Sequence, residues 1–518
     1  MIYGNNSILA NLFNDINMTQ EATMPVPAAK KSRFPKAVPY IIGNEAAERF
    51  SYYGLRSILV TYLVAQFYNP TLNPALTQTA EAHANASTHF FVALSYFMPL
   101  VGGIMADWFF GKYKVILWLS IVYCLGNVFT SSFTTSLPLF TVGLVLIATG
   151  AGGIKSCVTA NVGDQFDKTN QDLLSKVYGW FYFSINAGSL VSFALIPWAY
   201  KNLGPRVAFG IPGALMALAT IIFFSGRKMY VRVRPAGVNK NNFLFISLYS
   251  LFNLGKKKTG ESWLDVAKGP FDAEKVEGIK AVWRVMGVFF FTLAYWIVWD
   301  QNLSEWVLQS NKMDRVINFG LFKYEFIPGQ LPIANAIFLL MFIPVFNYWI
   351  YPSLDKMGLK TTLLRRFGAG LVLTALSFVV IALIQTNIDH GGHPSLWWQV
   401  FAYVLLSAAE VLVSITGLEY AYKHSPKSMK STMTAIFLMV VALGNVITGM
   451  INSNISEKGF LAPYMRGANF YWCFVGMIAV FVVAFLFVSP HMKERNYIDD
   501  PDDEPATKNE IIAETDNP

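Results

Sequence analysis

Four charged side chains interrupt one apolar stretch near the start of this 518-residue chain: Glu45, Glu48, Arg49 and Arg56. On a helix, their spacing would place all four on one stripe. Inserting one charged residue at mid-bilayer costs roughly 2.5–3.5 kcal/mol, so a stripe that faced lipid would be strongly unfavourable. We therefore expect these side chains to face a hydrated cavity and to pair with one another. The alternative is a buried ion-pair cluster that only holds helices together.

Further ionisable side chains interrupt apolar stretches later in the chain: His89, Lys155, Asp300 and Glu410. A carboxylate in a partly desolvated cavity can take up a proton, and its proton affinity falls when an arginine comes close. Movement of an arginine toward or away from such an acid would link proton binding to a change of conformation. We offer this coupling as a hypothesis for the whole set of buried charges.

The composition assigns the chain to the integral membrane proteins. It is 54% hydrophobic and 15% aromatic, and only 14% of its residues are charged, against about 25% in soluble domains. A membrane-spanning helix needs about 20 mostly apolar residues, and the chain holds twelve such stretches. We predict spans 1 to 12, in order, at residues 38–67, 86–109, 115–133, 137–160, 176–200, 207–225, 281–309, 331–352, 362–385, 395–421, 429–453 and 467–489.

The lysines and arginines predict the orientation of these spans. With a cytoplasmic N-terminus, the cytoplasmic segments hold 29 basic residues and the opposite loops hold seven. Basic residues concentrate in cytoplasmic loops, so we predict that both termini are cytoplasmic. The same distribution accounts for the net charge of +8 without a nucleic-acid partner. Residues 1–29 lack the pattern of a cleaved signal peptide, and we expect span 1 to serve as the insertion signal.

Two similar turns indicate an internal repeat. Asp107 precedes a glycine and lysines after span 2, and Asp355 precedes the same residue types after span 8. Six spans followed by six spans is the architecture of the major facilitator superfamily, in which two bundles enclose a central cavity. Residues 242–253 are apolar but too short to span, and we expect them along the membrane surface. We predict an all-α integral membrane protein of this fold, with a cytoplasmic segment 1–37, a first bundle 38–225, a cytoplasmic linker 226–280, a second bundle 281–489 and an acidic cytoplasmic tail 490–518.

Longer strings around these charges carry a family resemblance. Residues 45–54 read EAAERFSYYG, which resembles the E-x-x-E-R-F-x-Y-Y-G signature of the proton-coupled oligopeptide transporters. Residues 102–111, 178–190 and 417–431 resemble further signatures of that family. The resemblance runs from about residue 40 to 450. It implies proton-driven symport of di- and tripeptides into the cell by alternating access.

The resemblance also implies roles for single residues. It implies proton coupling by Glu45, Glu48, Arg49, His89 and Asp300. It implies peptide binding by Arg49, Tyr52, Tyr53, Tyr96, Lys155, Asn186, Trp296, Asn335 and Glu410. Within that set, Arg49, Tyr53 and Lys155 match the group that faces the peptide carboxylate, and Asn186, Asn335 and Glu410 match the group that holds the amino terminus. Arg56 and Asp300 match a salt bridge of the outer gate.

Packing alternatives stay open for several of these residues. His89 is also explained as a hydrogen-bonded histidine at the mouth of a span. Trp296 and Tyr96 are also explained as packing or interface aromatics, and Asn186 beside a glycine as a helix-packing residue. Two residues depart from the family pattern: Phe437 stands where many members carry tryptophan, and Glu305 adds an acid just outside the predicted gate.

Other functions are compatible with parts of this sequence pattern. The same fold carrying nitrate, another small anion or a drug-like peptidomimetic is the main alternative, and a peptide-sensing receptor or a channel is another. We expect no enzyme, because the sequence has no H-E-x-x-H and no phosphate-loop motif, and we predict no catalytic residue, no metal site and no cofactor other than the coupling proton. The predicted partners are a peptide, protons and the bilayer. We further predict a monomer in a bacterial inner membrane.

Overall fold

A computed structural model describes residues 34–492, apart from 77–78, 168–169, 171–172, 236, 239–240, 319, 321 and 427–428. Most of the predicted cytoplasmic segment 1–37 and nearly all of the predicted tail 490–518 therefore lie outside the described residues.

The described chain is predominantly α-helical. Each predicted span has a helical counterpart in the same order, because long apolar stretches satisfy their backbone hydrogen bonds internally as helices. The helices are span 1 Val38–Gln66, span 2 Ala80–Ile104, span 3 Lys112–Ser132, span 4 Leu137–Gly163, span 5 Leu174–Leu203, span 6 Pro205–Ser225, span 7 Ala273–Trp299, span 8 Ile333–Val345, span 9 Leu363–Asp389, span 10 Leu396–Glu410, span 11 Lys430–Ser456 and span 12 Ala468–Val488.

Eleven helices of the described residues are long and apolar enough to cross a membrane, by length and composition. Span 1 is not among them, although its 29 residues are enough for a crossing. It is the helix that carries the four charged side chains of the opening motif. Span 1 is therefore the least lipid-compatible of the twelve, and its polar stripe is buried against protein instead.

Several spans continue past their α-helical part in a different helical form. Met105–Phe110 extends span 2 as a π-helix, and Val411–Ile415 does the same directly after Glu410 in span 10. A 3₁₀ turn at Asp300–Leu303 breaks span 7 before a short helix Glu305–Ser310. Departures of this kind re-aim side chains and often accompany functional sites. In span 8, the π-helix Phe346–Ile350 and the helix Tyr351–Lys356 follow in turn.

Two spans begin well before the predicted residue, and the first of them is span 2, which begins at Ala80 rather than 86. Span 7 begins at Ala273 rather than 281, because Asp272 caps it by accepting a hydrogen bond from the backbone of Glu274. The polar residues that resembled linker are thus the first helical turns. A small antiparallel hairpin, Val316–Asn318 with Lys323–Glu325, lies between spans 7 and 8 and was not predicted from the sequence. Its strands of three residues are too short to give a readable alternating pattern.

The linker packs against the first turns of span 7. Its apolar helix, Phe243–Phe252, carries Ser247, whose hydroxyl accepts a hydrogen bond from the indole of Trp283 at 3.2 Å. Asp265 pairs with Lys268 at 2.7 Å and with Lys280 of span 7 at 2.5 Å. Partial burial alone would raise the pKa of Asp265, but the hydrogen bonds from both lysines outweigh it and hold that pKa well below its usual range.

Each half of the described chain has its own apolar core. One core draws on spans 1 to 6, together with Val307 and Leu308, and the other draws on spans 7 to 12 and the linker helix, together with Ala82. These exchanged residues lie near one end of the bundle, opposite the start of span 1, which we call the distal end. Span 11 also meets span 2 there, since a side chain at Gly449 would come within 3.0 Å of the Phe90 ring.

Glycines permit very close helix packing within the first half. A β-carbon at Gly102 of span 2 would overlap the carbonyl group of Gly153 in span 4, with the carbonyl carbon only 2.7 Å away. Small residues of this kind let membrane helices approach at backbone distance. By contrast, a β-carbon at the adjacent Gly103 would meet its nearest atom, the Ser156 hydroxyl, at 3.6 Å.

We expect Gly102→Ala to lower the stability of the protein by about 1–3 kcal/mol, because a rigid backbone group has to move to admit the methyl group. The measurement is the midpoint of thermal unfolding of the purified protein in detergent. Gly103→Ala is the matched control and should leave the midpoint unchanged or raise it slightly. Equal midpoints for the two variants would contradict the close contact between spans 2 and 4.

Candidate functional site

The span 1 charges form a cluster around one arginine. Arg49 Nε donates a hydrogen bond to Glu45 Oε1 at 2.7 Å and lies 3.1 Å from Glu48 Oε2. Both acids are almost fully buried. Although the second pair is at ion-pair distance, the Glu48 oxygens accept no hydrogen bond from any described residue. Arg49 thus holds Glu45 by direct hydrogen bonding and Glu48 by charge alone, which leaves Glu48 the easier acid to release.

Lys155 of span 4 is held by aromatic rings. Its Nζ lies 4.3 Å from the ring centre of Tyr52 and 4.2 Å from that of Tyr96, which are cation–π contacts. Within the described chain, no acceptor forms a hydrogen bond with this buried ammonium group. Tyr52 in turn packs edge-on against Tyr53, with ring centres 5.4 Å apart. The lysine therefore presents a positive charge whose hydrogen-bonding capacity is not used by the protein around it.

Glu410 of span 10 is positioned by side chains of its own half, the second one. Its Oε2 accepts hydrogen bonds from Asn335 Nδ2 at 2.9 Å and from Trp299 Nε1 at 3.1 Å. Asn335 also donates to the Ser407 hydroxyl at 3.0 Å. Trp299 and Ser407 were not identified from the sequence, because a tryptophan and a serine in apolar helices have no distinguishing pattern. Both donors fix one oxygen, so the carboxylate is oriented with its second oxygen away from them.

The remaining predicted peptide-binding residues fall into two groups. Trp296 is buried and packs edge-on against Trp299 and Phe437, with ring centres 5.3 and 6.0 Å apart. Phe437 thus fills part of the space beside the tryptophan. Asn186, by contrast, donates its described hydrogen bond to the backbone carbonyl of Tyr182 in its own helix, at 2.9 Å. The structure does not bond it to Asn335, with which the resemblance groups it.

A buried polar chain closes the distal side of these residues. Arg56 Nη2 donates to Asp300 Oδ1 at 2.9 Å, and both side chains are fully buried. Asn445 Nδ2 donates to Asp300 Oδ2 at 2.6 Å, and its Oδ1 lies 2.9 Å from His89 Nδ1. The chain ends where the Ser304 hydroxyl meets His89 Nε2 at 3.1 Å. Spans 1, 2, 7 and 11 are joined by this chain, which therefore ties the two halves together.

Two members of this hydrogen-bonded series, Asn445 and Ser304, were not identified from the sequence. Neutral polar residues are common in membrane helices, so neither stands out as a charge does. Asn445 has to direct its amide nitrogen at the Asp300 carboxylate, which leaves its oxygen to accept from the imidazole. His89 was expected near the start of span 2 but lies more than two turns into it. The histidine is thus hydrogen-bonded and buried, at the junction of the halves.

The arrangement brings buried side chains of opposite charge from the two halves into one site. In the part of the chain that the structure describes, no group of three or more His, Cys, Asp or Glu side chains is placed to hold a metal ion. Lys155 belongs to the first half and contributes a positive charge, whereas Glu410 belongs to the second half and contributes a negative charge. A ligand with both charges can contact both halves at once.

Comparison with known proteins places this geometry in context. The family model described as PTR2, POT family, matches residues 113–473. Solute carrier family 15 member 2 of Rattus norvegicus is 34% identical over 437 residues, which cover 78% of this chain and 58% of that protein. Peptide transporter family 1 of Drosophila melanogaster is 36% identical over 382 residues, which cover 70% of this chain and 49% of that protein. The chain thus spans about half the length of these curated relatives.

A solved structure shares the whole architecture. The in meso crystal structure of the POT family transporter PepTSo superposes with a TM-score of 0.81 at 34% sequence identity, covering 89% of this chain and 99% of that one. The likeness confirms the predicted all-α membrane fold of the major facilitator type.

The buried Arg56–Asp300 pair yields a prediction about stability. Removing one partner by Arg56→Gln or Asp300→Asn leaves the other charge buried and unpaired, and we expect each to cost about 3–5 kcal/mol. The double variant should lose less than the sum of the two, with a coupling of about 1–3 kcal/mol. Unfolding in detergent micelles measures all three variants.

The exposed hairpin pair Arg315–Glu325, at 3.0 Å, is the control. Its solvent-exposed geometry predicts a coupling of at most about 1 kcal/mol. Strictly additive losses at Arg56 and Asp300 would show that the buried pair does not join the halves energetically.

Proposed function

This chain belongs to the POT family, and from that membership we propose that it carries di- and tripeptides across the membrane together with protons, by alternating access. The observation that carries the proposal is the pair of opposite charges on the two halves. Lys155 offers an ammonium group with no hydrogen-bond acceptor among the described residues, and Glu410 offers an oriented carboxylate. A zwitterionic peptide has a carboxylate and an ammonium group at its two ends, which these side chains match.

We assign the other predicted peptide-binding residues by the same logic. Arg49 and Tyr53 join Lys155 in facing the peptide carboxylate, and Asn335 joins Glu410 in holding the amino terminus. Asn186 can join that second group once its side chain no longer donates its hydrogen bond to the Tyr182 carbonyl of span 5. The peptide side chains are received by aromatic surfaces, which are contributed by Tyr52, Tyr96 and Trp296.

Proton coupling is proposed at the span 1 cluster. Glu48 takes up the proton, because it is buried beside Arg49 without a hydrogen bond from a described residue. Its neutralisation frees Arg49 to interact with the peptide carboxylate, while Glu45 keeps the arginine in place through their hydrogen bond. Proton binding and peptide binding then share one guanidinium group, so each favours the other.

The distal polar chain is proposed as the outer gate. Arg56 and Asp300 form its ion pair, and His89 senses protons at its far end. When this gate is closed, the contacts between the halves lie at the distal end, which is the condition for a cavity that opens toward the opposite side. Loss of the Arg56–Asp300 pair would let the halves separate there and close at the other end.

The wider setting completes the proposal. We propose a monomer with cytoplasmic termini, in which bundles 38–225 and 281–489 move against each other and linker 226–280, with its apolar helix along the membrane surface, joins them. It acts as a transporter rather than an enzyme, with protons as the coupling ion and no further cofactor. The bacterial inner membrane stays a prediction that the animal relatives do not support. An anion such as nitrate would leave the oriented Glu410 carboxylate without a partner, so no observation favours that alternative.

We expect Glu48→Gln to abolish concentrative uptake of dialanine into liposomes driven by an imposed pH gradient, because the amide cannot accept the coupling proton. Exchange of labelled for unlabelled dialanine at equal concentrations should persist, since it needs no net proton movement. Wild-type uptake should collapse on addition of an uncoupler.

Glu274→Gln, at an exposed site at the start of span 7, is the control for loss of a carboxylate and should transport normally. Concentrative uptake by Glu48→Gln at the wild-type rate would refute the assignment of the proton to Glu48. Absence of gradient-driven uptake by the wild-type protein would refute symport itself.

Glu410 gives a prediction about substrate charge. The wild-type protein should strongly prefer dialanine to N-acetyl-dialanine, because the acetylated peptide leaves the buried carboxylate unpaired. In Glu410→Gln, that preference should fall by about tenfold or more, a change of roughly 1.4 kcal/mol in transition-state binding. Preference for the free carboxylate over dialanine amide should survive in Glu410→Gln and fall instead in Lys155→Gln. The ratio of kcat/KM values measures each effect, and an unchanged acetyl preference in Glu410→Gln would exclude it as the ammonium partner.

A further inference from the structure

A polar cavity lies at the distal end, beyond the Arg56–Asp300 pair that we propose as the outer gate. Its volume is about 370 Å³, and it lies between spans 2, 7, 9, 11 and 12. Exposed charged residues form its rim, and two nearly buried side chains, Asn85 and Glu305, form its floor. The central cavity and the gate chain do not include these two residues.

Glu305 brings an uncompensated negative charge to this floor. Its side chain is 7% exposed, yet no lysine, arginine or histidine of the described residues lies within ion-pair distance of it. A buried carboxylate without such a partner is costly to keep ionised. The floor of the cavity therefore favours a positively charged group, whereas its rim carries cations of its own, Lys312, Lys458 and Arg466.

Asn85 lies next to Glu305 and adds a second sign of a ligand. It is fully buried, and neither the oxygen nor the nitrogen of its amide has a hydrogen-bond partner within the described residues. An unsatisfied buried polar group costs about 1–3 kcal/mol. A ligand with several N–H donors would satisfy the Asn85 oxygen and the Glu305 carboxylate together.

The acids on the rim already have partners. Lys312 pairs with Glu81 at 2.8 Å. Asp389 accepts hydrogen bonds from the Gln385 side chain at 2.8 Å and from the backbone of Ala468 at 2.6 Å. These contacts leave Glu305 as the acid that is free to bind a cation. No cluster of three metal-ligand side chains occurs among the described residues, which favours an organic ammonium group over a metal ion.

We propose that this cavity is an entry subsite that binds the ammonium group of an arriving peptide, through the Glu305 carboxylate and the Asn85 amide oxygen. The proposal rests on the peptide transport proposed above. Its position links it to the gate: Glu305 follows Ser304, which bonds to His89, and Asn85 lies one helical turn before His89 on span 2. An occupant therefore contacts both helices that the gate chain joins.

Uptake kinetics give the first test. Glu305→Gln should raise the KM for dialanine about tenfold and change kcat less than twofold, because the subsite captures substrate but takes no part in later steps. Glu325→Gln, an exposed acid in the distal hairpin, is the matched control and should leave both values unchanged. A KM for Glu305→Gln within twofold of the wild-type value would overturn the proposal.

Ligand-induced stabilisation gives a second test that does not depend on transport. It uses the full chain with Glu410→Gln, which removes the ammonium partner of the central cavity, and butylammonium chloride as the probe. Butylammonium should raise the unfolding midpoint in detergent, sodium butyrate at equal ionic strength should not, and Glu305→Gln should remove the shift. Asn85→Asp should enlarge it, because it adds a second carboxylate to the floor.

The outcomes separate the two proposals. An ammonium-specific shift that depends on Glu305, in a protein that accumulates no dialanine, would retain the subsite as an amine site and refute peptide transport. A shift that persists in Glu305→Gln, or no shift before that substitution, would refute the subsite even if dialanine is transported normally.

Discussion

The cost of placing a charge in hydrocarbon is the constraint on which the rest of this structure depends. Most of the buried charges described above are compensated inside the protein, in one of two ways. Span 1 does so within one helix, through Arg49 and its two acids. The distal chain does so across the halves, through Arg56 and Asp300. Charges that lack such compensation can then be recognised as sites for a ligand or a proton.

This distinction separates structural ion pairs from functional groups more sharply than burial does. Arg56 and Asp300 are fully buried and form an ion pair with each other, which fits the closing role between the halves that we propose for them. Lys155 is surrounded by tyrosine rings, which stabilise its charge without using its N–H donors. A charge stabilised by rings but not by hydrogen bonds is ready to bind a carboxylate. The same argument, with the sign reversed, applies to Glu305 beside Asn85.

The sequence predicted the spans well because hydrophobic length is their physical cause. The predicted helix boundaries were wrong where polar residues are helical. At the start of span 7, for example, a capped amphipathic turn resembles a linker. At the site, the charged residues could be predicted because charge is anomalous in an apolar helix. Asn445, Ser304 and Trp299 could not, since neutral side chains acquire their roles only when folding brings a charged partner within hydrogen-bond distance.

Span 1 combines the groups that would have to move together in the proposed cycle. Arg49, Tyr53 and Arg56 lie on one continuous helix, with spacings of four and three residues, so their side chains are close to one face. A rigid helix transmits displacement along its whole length, whereas three separate loops would not. A shift of span 1 that releases Arg56 from Asp300 would therefore also displace Arg49 relative to Glu410 on span 10. Gate opening and the rearrangement of the proton–peptide cluster become a single motion, and the rigidity of one charged helix is sufficient to couple them.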